Sequence, residues 1–541
     1  MENTSRPLSH FDETAHPLSS DAAGGASAAT DAATAIRRRM VAEPASEAPE
    51  HGDDEFRVDL ERVRFSPYFS RLSAVTQVIP QAGSGTTVHN RLTHSLKVTA
   101  VARSIAIGLA NADEPTRRTI AALGGCEPVV VQAAASAHDL GHPPFGHLGE
   151  QVLDRLSRDR LGLTDGFEGN AQTFRILTAL DASDPTGRGL NPTAAVRAAV
   201  LKYPWTKGEW RSDSPGPADE LPRGVGTDRR LGAWKYSAYL LGAVEMAGVL
   251  EAYPAIRPNM QTVECSVMDI ADDIAYSVHD LDDFYRAGIL EHTTVSAELT
   301  NWLENQRKLA ALEQTELESS IRTPGYSLEL TWRRVREKDG WIADEGAFRD
   351  SVLRVQDGLV EGLLAVPYDG GFEADRAVAA FTQHWINRLK SSIGVEANPD
   401  IRSSHVQLTP DAWHDVVVLK FVHSRFVLDR PELRIYQRGQ AKVLESLVDG
   451  FHEWLIDPND APVMPRRLTD SVEATTQSYF ELREDSPQLL PAGINDPALI
   501  DLGRGRALID YIASFTDAQA MSAAALLSGT SERLWETGRS L

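Results

Sequence analysis

Cysteine is nearly missing from this chain of 541 residues, in which Cys126 and Cys265 stand alone. Two thiols cannot build a disulfide framework, so both are expected as buried thiols, and a reducing compartment, the cytoplasm, follows as the expectation. No apolar run approaches the roughly 20 residues that a membrane helix requires. The N-terminus shows no signal-peptide h-region, so neither a membrane nor a secreted protein is expected. Basic residues are outnumbered, 54 Lys and Arg against 77 Asp and Glu, for a net charge of −23. Binding along a nucleic-acid backbone needs clustered cations, so the charge gives no support to a role on single-stranded nucleic acid. An anionic substrate would have to be met locally, by a metal ion or a few basic side chains. Alternating strand patterns are scarce, and no internal repeat is found.

What is present is ordinary for a globular protein: 42% hydrophobic and 24% charged residues. Residues 1–55 are rich in Ala, Ser, Thr, Asp, Glu and Pro, with Phe11 their only aromatic. Such a stretch buries too little apolar surface to offset its ordering entropy and reads as disordered, with Arg37, Arg38 and Arg39 solvated. Order is predicted from Phe56. Apolar residues at three- and four-residue steps predict helices over Leu92–Leu109, Val129–Ala137, Val263–Tyr285 and Ala441–Leu455. A Gly/Thr-rich turn over 81–87 could close a small hairpin between Thr76–Ile79 and His89. Asp213–Asp228 and Pro367–Glu373 read as surface loops. The expectation is one large all-α domain over 56–541 with irregular insertions and a minor hairpin.

The segment His138-Asp139-Leu140-Gly141-His142-Pro143-Pro144-Phe145-Gly146-His147-Leu148-Gly149-Glu150 carries the most chemistry. Gly141 and the two prolines should end the preceding helix near His142, with a new one starting at Gly146 or His147. This gathers three imidazoles, Asp139 and Glu150 around one small volume. A His/carboxylate set suits Zn²⁺, Mn²⁺, Fe²⁺ or Co²⁺ better than Ca²⁺. Two more segments can complete the site. Arg91 and His94 share a helical face three residues apart, and Asp272, Tyr276 and Asp280 form a polar stripe at i, i+4, i+8. Singly, each could be structural, an Arg–Asp pair or a helix-end carboxylate. Asp282 and Asp283 read as a solvated face.

The order His94, His138-Asp139, Asp272 resembles that of the HD superfamily of metal-dependent phosphohydrolases, and the detail resembles its deoxyguanosine triphosphate triphosphohydrolase (dGTPase) branch. Matching stretches are Arg71-Leu72 with Thr76-Gln77-Val78, the Arg91–Leu96 segment and Arg103–Ala106. To these add His138–Glu150, Gly166–Gln172, Lys202–Trp205, Ala271–Tyr276 and Ala507–Asp517, so that the resemblance spans about 58–530.

The resemblance implies an HD-domain helical fold with its metal site within about 70–290 and a C-terminal helical part over 290–541. It implies one divalent ion (Mn, Mg, Fe, Co or Zn) on His94, His138, Asp139 and Asp272, with Asp272 chosen over Asp273 because Tyr276 and Asp280 share its face. His147 and Glu150 match the catalytic pair, and His142 could hydrogen-bond a phosphate oxygen. Gln77, Arg91, Lys202, Tyr203, Lys235, Tyr276 and Asp280 match nucleotide-contacting positions. Lys235-Tyr-Ser-Ala-Tyr and Phe421–Gln440 depart from the family pattern; Tyr436 and Arg438 are candidates in the second. The implied reaction releases inorganic triphosphate from a deoxynucleoside triphosphate, dGTP favoured, in a homo-oligomer that could be a hexamer. The alternatives are another HD phosphohydrolase activity or a nucleotide-binding regulator without turnover.

Overall fold

Helix starts encoded in the sequence set where the chemistry-bearing side chains fall. Asn90 caps the Arg91–Ala110 helix: its side chain accepts from the Thr93 amide at 3.0 Å, while Thr93 Oγ1 accepts from the Asn90 amide at 3.1 Å. A cap of this kind contributes about 1 kcal/mol and fixes His94 in the first turn. Thr262 caps Val263–Arg286 by accepting from the Cys265 amide at 3.2 Å. Pro128 opens Pro128–Ala137, where a missing amide donor does no harm.

The computed structural model describes residues 34–42, 54–78, 89–183 and 187–530. Among these the fold is all-α apart from one short antiparallel pair, Ile393–Val395 with Val406–Leu408, in which Gly394 opposes Gln407. The four predicted helices lie within Arg91–Ala110, Pro128–Ala137, Val263–Arg286 and Pro431–Ile456. That pair is a second hairpin, in a part of the chain where the sequence suggested none. Thr76 makes a single antiparallel bridge to Asn90, and the turn expected over 81–87 lies outside the described residues.

Arg91–Ala110, Pro128–Ala137 and Val263–Arg286 pack on one another, with Glu55–Phe65 and Ala194–Ala199 against the second of them. Pro128–Ala137 carries mainly Ala and Val on its buried faces, which lets its neighbours approach closely. Pro410–His423 covers the Val263–Arg286 helix from the other side. A second apolar cluster joins Gly146–Leu161, Pro431–Ile456, Asp496–Ala513 and Asp517–Leu527. The His138–Gly146 segment runs from a helix of the first cluster into a helix of the second.

Three sequence readings change. Residues 34–42, inside the stretch read as disordered, pack on the body; 1–33 and 43–53 lie outside the described residues. In that piece Arg39 is not solvated but donates to the buried Asp59 at 2.6 Å, and Arg38 donates to the Gly248 carbonyl at 3.0 Å. The helix before the histidine cluster stops at Ala137, earlier than the prolines suggested, so that His138 is its cap. Asp282 and Asp283 are buried, paired with Arg286 at 2.6 Å and with His89 at 2.5 Å. A neighbouring cation or hydrogen-bond donor makes burial of an acid tolerable, and composition does not reveal which acid has one.

Candidate active site

His94, from the first turn of Arg91–Ala110, and Asp272, from Val263–Arg286, meet with Nε2 and Oδ1 3.1 Å apart. His138 at the end of Pro128–Ala137 brings its Nε2 to 3.7 Å of the same oxygen. The three form one group whose ligand atoms lie within 4.8 Å of each other, suited to a metal ion. His138 Nδ1 is 2.8 Å from the Ala135 carbonyl, so its proton sits there and Nε2 is left as a bare lone pair. That Nε2 is buried without a hydrogen-bond partner. An orphaned imidazole lone pair facing a carboxylate fits a bound cation and little else. Burial pushes the Asp272 carboxyl up, but Lys202, His94 and His138 outweigh it and hold it well below the usual range. Its neighbour Asp273 points elsewhere, to Lys420 at 2.7 Å.

Asp139 adjoins this group without joining it. Its Oδ1 is 3.5 Å from His138 Nε2 and 2.9 Å from His142 Nδ1, and its Oδ2 accepts from Arg91 Nη1 at 3.0 Å. Arg91 is buried, and its Nε and Nη2 have no partner. Burial lowers the His142 pKa to about 4. His142 Nδ1 stands 2.9 Å from Asp139 Oδ1 yet is buried without a hydrogen-bond partner, and its Nε2 lies 3.9 Å from Glu150 Oε2.

His147 opens the Gly146–Leu161 helix, more than half exposed, with Nδ1 2.7 Å from the buried Glu150 Oε2. Burial alone would raise the Glu150 carboxyl, but Lys235, His142 and His147 hold it well below its ordinary value. Lys235 Nζ donates to Glu168 at 2.8 Å and lies 3.7 Å from Glu150. His142, His147 and Glu150 are themselves a second group of three potential ligands. The Lys235 ammonium already occupies the electrostatic role that a second cation would play there.

Lys202 donates to Asp272 at 3.1 Å and stands 2.6 Å from Asp269, which also pairs with Arg223 at 2.8 Å. Hydrogen bonds tie the Tyr203–Trp205 stretch to the segment that carries Lys235. Ser237 donates to the Tyr203 carbonyl and Trp205 Nε1 to the Lys235 carbonyl, at 2.9 and 2.8 Å. Tyr203 itself is half-buried against Trp205.

Beside His147 opens a cavity of about 260 Å³ lined by Gln77, Tyr276, Tyr436 and Gln437 among others. Arg438, the second candidate of its helix, does not line it. Gln77 Oε1 is buried and unpartnered. Asp280 lies behind Tyr276, 3.8 Å from His423 Nδ1, and the His423 ring packs on Tyr276 with centroids 4.8 Å apart. Burial raises the Asp280 carboxyl well above its ordinary value.

Glu168, Arg223, Asp269, Lys420, His423 and Asp517 are residues that sequence reasoning missed as parts of this site. Glu168 lies in a stretch recognised by its motif, which offered a signal; Arg223 lies in a loop read as surface, which offered none.

Residues 91–181 match the HD domain family. The chain is 30% identical over 445 residues to a deoxyguanosinetriphosphate triphosphohydrolase-like protein of Corynebacterium efficiens, covering 79% of this chain and 89% of the relative. It is 29% identical over 495 residues to the like-named protein of Streptomyces coelicolor, covering 88% and 93%. A Bifidobacterium longum protein of the same name is 29% identical over 489 residues, covering 89% and 85%. With a His–Asp group fit for a divalent ion at its centre, the chain is an HD-domain phosphohydrolase and belongs to the deoxyguanosinetriphosphate triphosphohydrolase-like family.

Proposed function

We propose that this protein hydrolyses deoxynucleoside triphosphates, dGTP foremost, to the deoxynucleoside and inorganic triphosphate. The observation that carries the reading is the His147–Glu150 pair, 2.7 Å apart: His147 lines the cavity of about 260 Å³ and packs on His142, which adjoins Asp139. The name that the relatives bear supports the substrate class.

A divalent ion held by His94, His138 and Asp272, with Asp139 adjoining, would supply Lewis-acid charge neutralisation at the α-phosphate. The other roles fall to this chain's own groups. Arg91 has two buried N–H-bearing nitrogens free, placed to donate to phosphate oxygens while Nη1 stays on Asp139. Lys202 and Lys235 add positive field from between their carboxylates, in a protein otherwise acidic. Water attacks the α-phosphorus and the bond to the 5′-oxygen breaks. His147, oriented through Nδ1 by Glu150, carries the proton at Nε2. Gln77, with its free Oε1, and the Tyr276 ring contact sugar and base. Tyr203 packs at the triphosphate side, and Asp280 supports Tyr276. Residues 56–541 act as one hydrolase unit, assembled as a homo-oligomer.

A binding-only regulator would not need the intact His147–Glu150 pair, which is why turnover is the favoured reading. The test is to incubate the metal-loaded protein with each dNTP and separate products by ion-exchange chromatography. Deoxynucleoside with intact triphosphate is expected. Monophosphate with diphosphate, or no turnover, would refute the assignment, and light scattering would report the assembly.

A further inference from the structure

Glu150 has two carboxylate oxygens, and only one is engaged by His147. The other, Oε1, accepts from the backbone amide of Gly169 at 2.9 Å in a fully buried setting. A Cβ built on Gly169 would stand 2.4 Å from this Oε1 and 3.4 Å from Glu150 Cδ, with His142 Cε1 next at 3.7 Å. The Oε1 distance is too short for an unshifted carboxylate, and the Cδ distance is already at contact. The backbone of Gly169 is not in the left-handed region, so its conformation does not call for glycine. Space does: the missing side chain is the room that the Glu150 carboxylate occupies.

The surroundings keep Gly169 in place. Its predecessor Glu168 accepts from the Asn170 and Ala171 amides at 2.5 and 3.2 Å and from Lys235 at 2.8 Å. Gly141, in the histidine segment, leaves no room for a Cβ either, since one would fall 2.1 Å from the Gly169 carbonyl oxygen. Gly141 also donates to Thr173 Oγ1 at 3.0 Å. The histidine segment and the Gly169–Arg175 helix therefore touch backbone to backbone.

We propose that Gly169 is a positioning residue for hydrolysis. Its amide fixes one oxygen of Glu150 and its lack of a side chain admits the carboxylate, so that the other oxygen holds His147 in the Nδ1–H tautomer. This rests on the reading that the His147–Glu150 pair moves the proton.

The test is Gly169→Ala, alone and combined with Glu150→Gln, in the full-length metal-loaded protein. Two readouts are taken: steady-state hydrolysis of dGTP, and the side-chain ¹⁵N shifts of His147 in selectively labelled protein. Gly169→Ala should lower kcat by about 100-fold, with KM within about 2-fold and metal content unchanged. Added to Glu150→Gln it should cost nothing more, because its effect passes through that carboxylate. The His147 shifts should move from the Nδ1–H tautomer to a mixture. Wild-type kcat in the single variant, a full multiplicative loss in the double variant, or unchanged His147 shifts would each overturn the proposal. If the wild-type protein proves inactive on dNTPs, the shifts still test the clamp, so the two ideas fail separately. If Gly169→Ala does not fold, Gly169→Ala with Glu150→Asp should, since the shorter acid vacates the space. Failure of that pair to fold would overturn the proposal by placing the clash in the backbone.

Discussion

Asp517 accepts from the Phe145 backbone amide at 2.9 Å, joining the first residue of the Asp517–Leu527 helix to the turn between the histidines. Phe145 has φ +66°, in the left-handed region that a bulky side chain rarely occupies. The other oxygen of Asp517 accepts from the Thr76 amide and hydroxyl at 3.0 and 2.6 Å. One carboxylate thus anchors both the strained turn that aims His147 and the segment that carries Gln77. Asp517→Ala is expected to destabilise the protein by about 2 kcal/mol, the scale of hydrogen bonds to a charged group. Urea unfolding checks this, and a fall in kcat should accompany it. Unchanged stability and rate would remove Asp517 from the site.

Adjacent acids should behave differently. Asp272→Ala is expected to abolish metal binding and activity, because its Oδ1 faces His94 and His138. Asp273→Ala should keep the metal, losing only the partly exposed pair with Lys420, at a cost within about 1 kcal/mol. Elemental analysis after gel filtration separates the two, and equal metal content in both variants would contradict the geometry.

Arg91→Lys tests the triphosphate contact. Lysine replaces a planar fork by one nitrogen whose three N–H groups share a single position, so it cannot stay on Asp139 and also donate from where Nε and Nη2 stand. A rise in KM for dGTP of about 10-fold or more is expected, with metal content retained. Gly146→Ala should hurt for a related reason, since its Cβ would lie 2.6 Å from Arg91 Nη2 and its φ is +58°. Wild-type KM in Arg91→Lys would show that Arg91 serves Asp139 alone.

A pH dependence of stability follows from Glu264, far from the reacting groups. Burial pushes its carboxyl up to about 7, and its Oε2 has no partner. The unfolded chain releases this proton near pH 4.5, whereas the folded one keeps it to about pH 7. The folded state therefore binds more protons across that window, and stability falls as pH rises through it. The loss amounts to about 3 kcal/mol by pH 8. Glu264→Gln should flatten the slope and melt higher than wild type at pH 8. A wild-type melting temperature with no downward trend from this residue between pH 5 and 8 would contradict the assignment.

Local chemistry was enough to locate the helices and to mark His94, His138 and Asp272 as candidate ligands, at the start, the end and the middle of theirs. Periodicity located Arg91–Ala110 and Val263–Arg286. The resemblance, read on the i, i+4, i+8 stripe, chose Asp272 over Asp273, and it paired His147 with Glu150 across a three-residue step. Tertiary structure decided what depends on partners far along the chain. Asp282 and Asp283 looked solvated and are buried, since Arg286 pairs with the first and the His89 amide and ring hydrogen-bond the second. Arg39 looked solvated and is pinned by Asp59. Tyr436 reaches the cavity and Arg438 does not, a matter of which face of Pro431–Ile456 turns inward. Most of all, the placement of Glu150 needs an amide nineteen residues away, and that of Phe145 an acid 372 residues away. Local patterns fix which residues can do chemistry; packing between distant segments fixes how their reactive atoms are held.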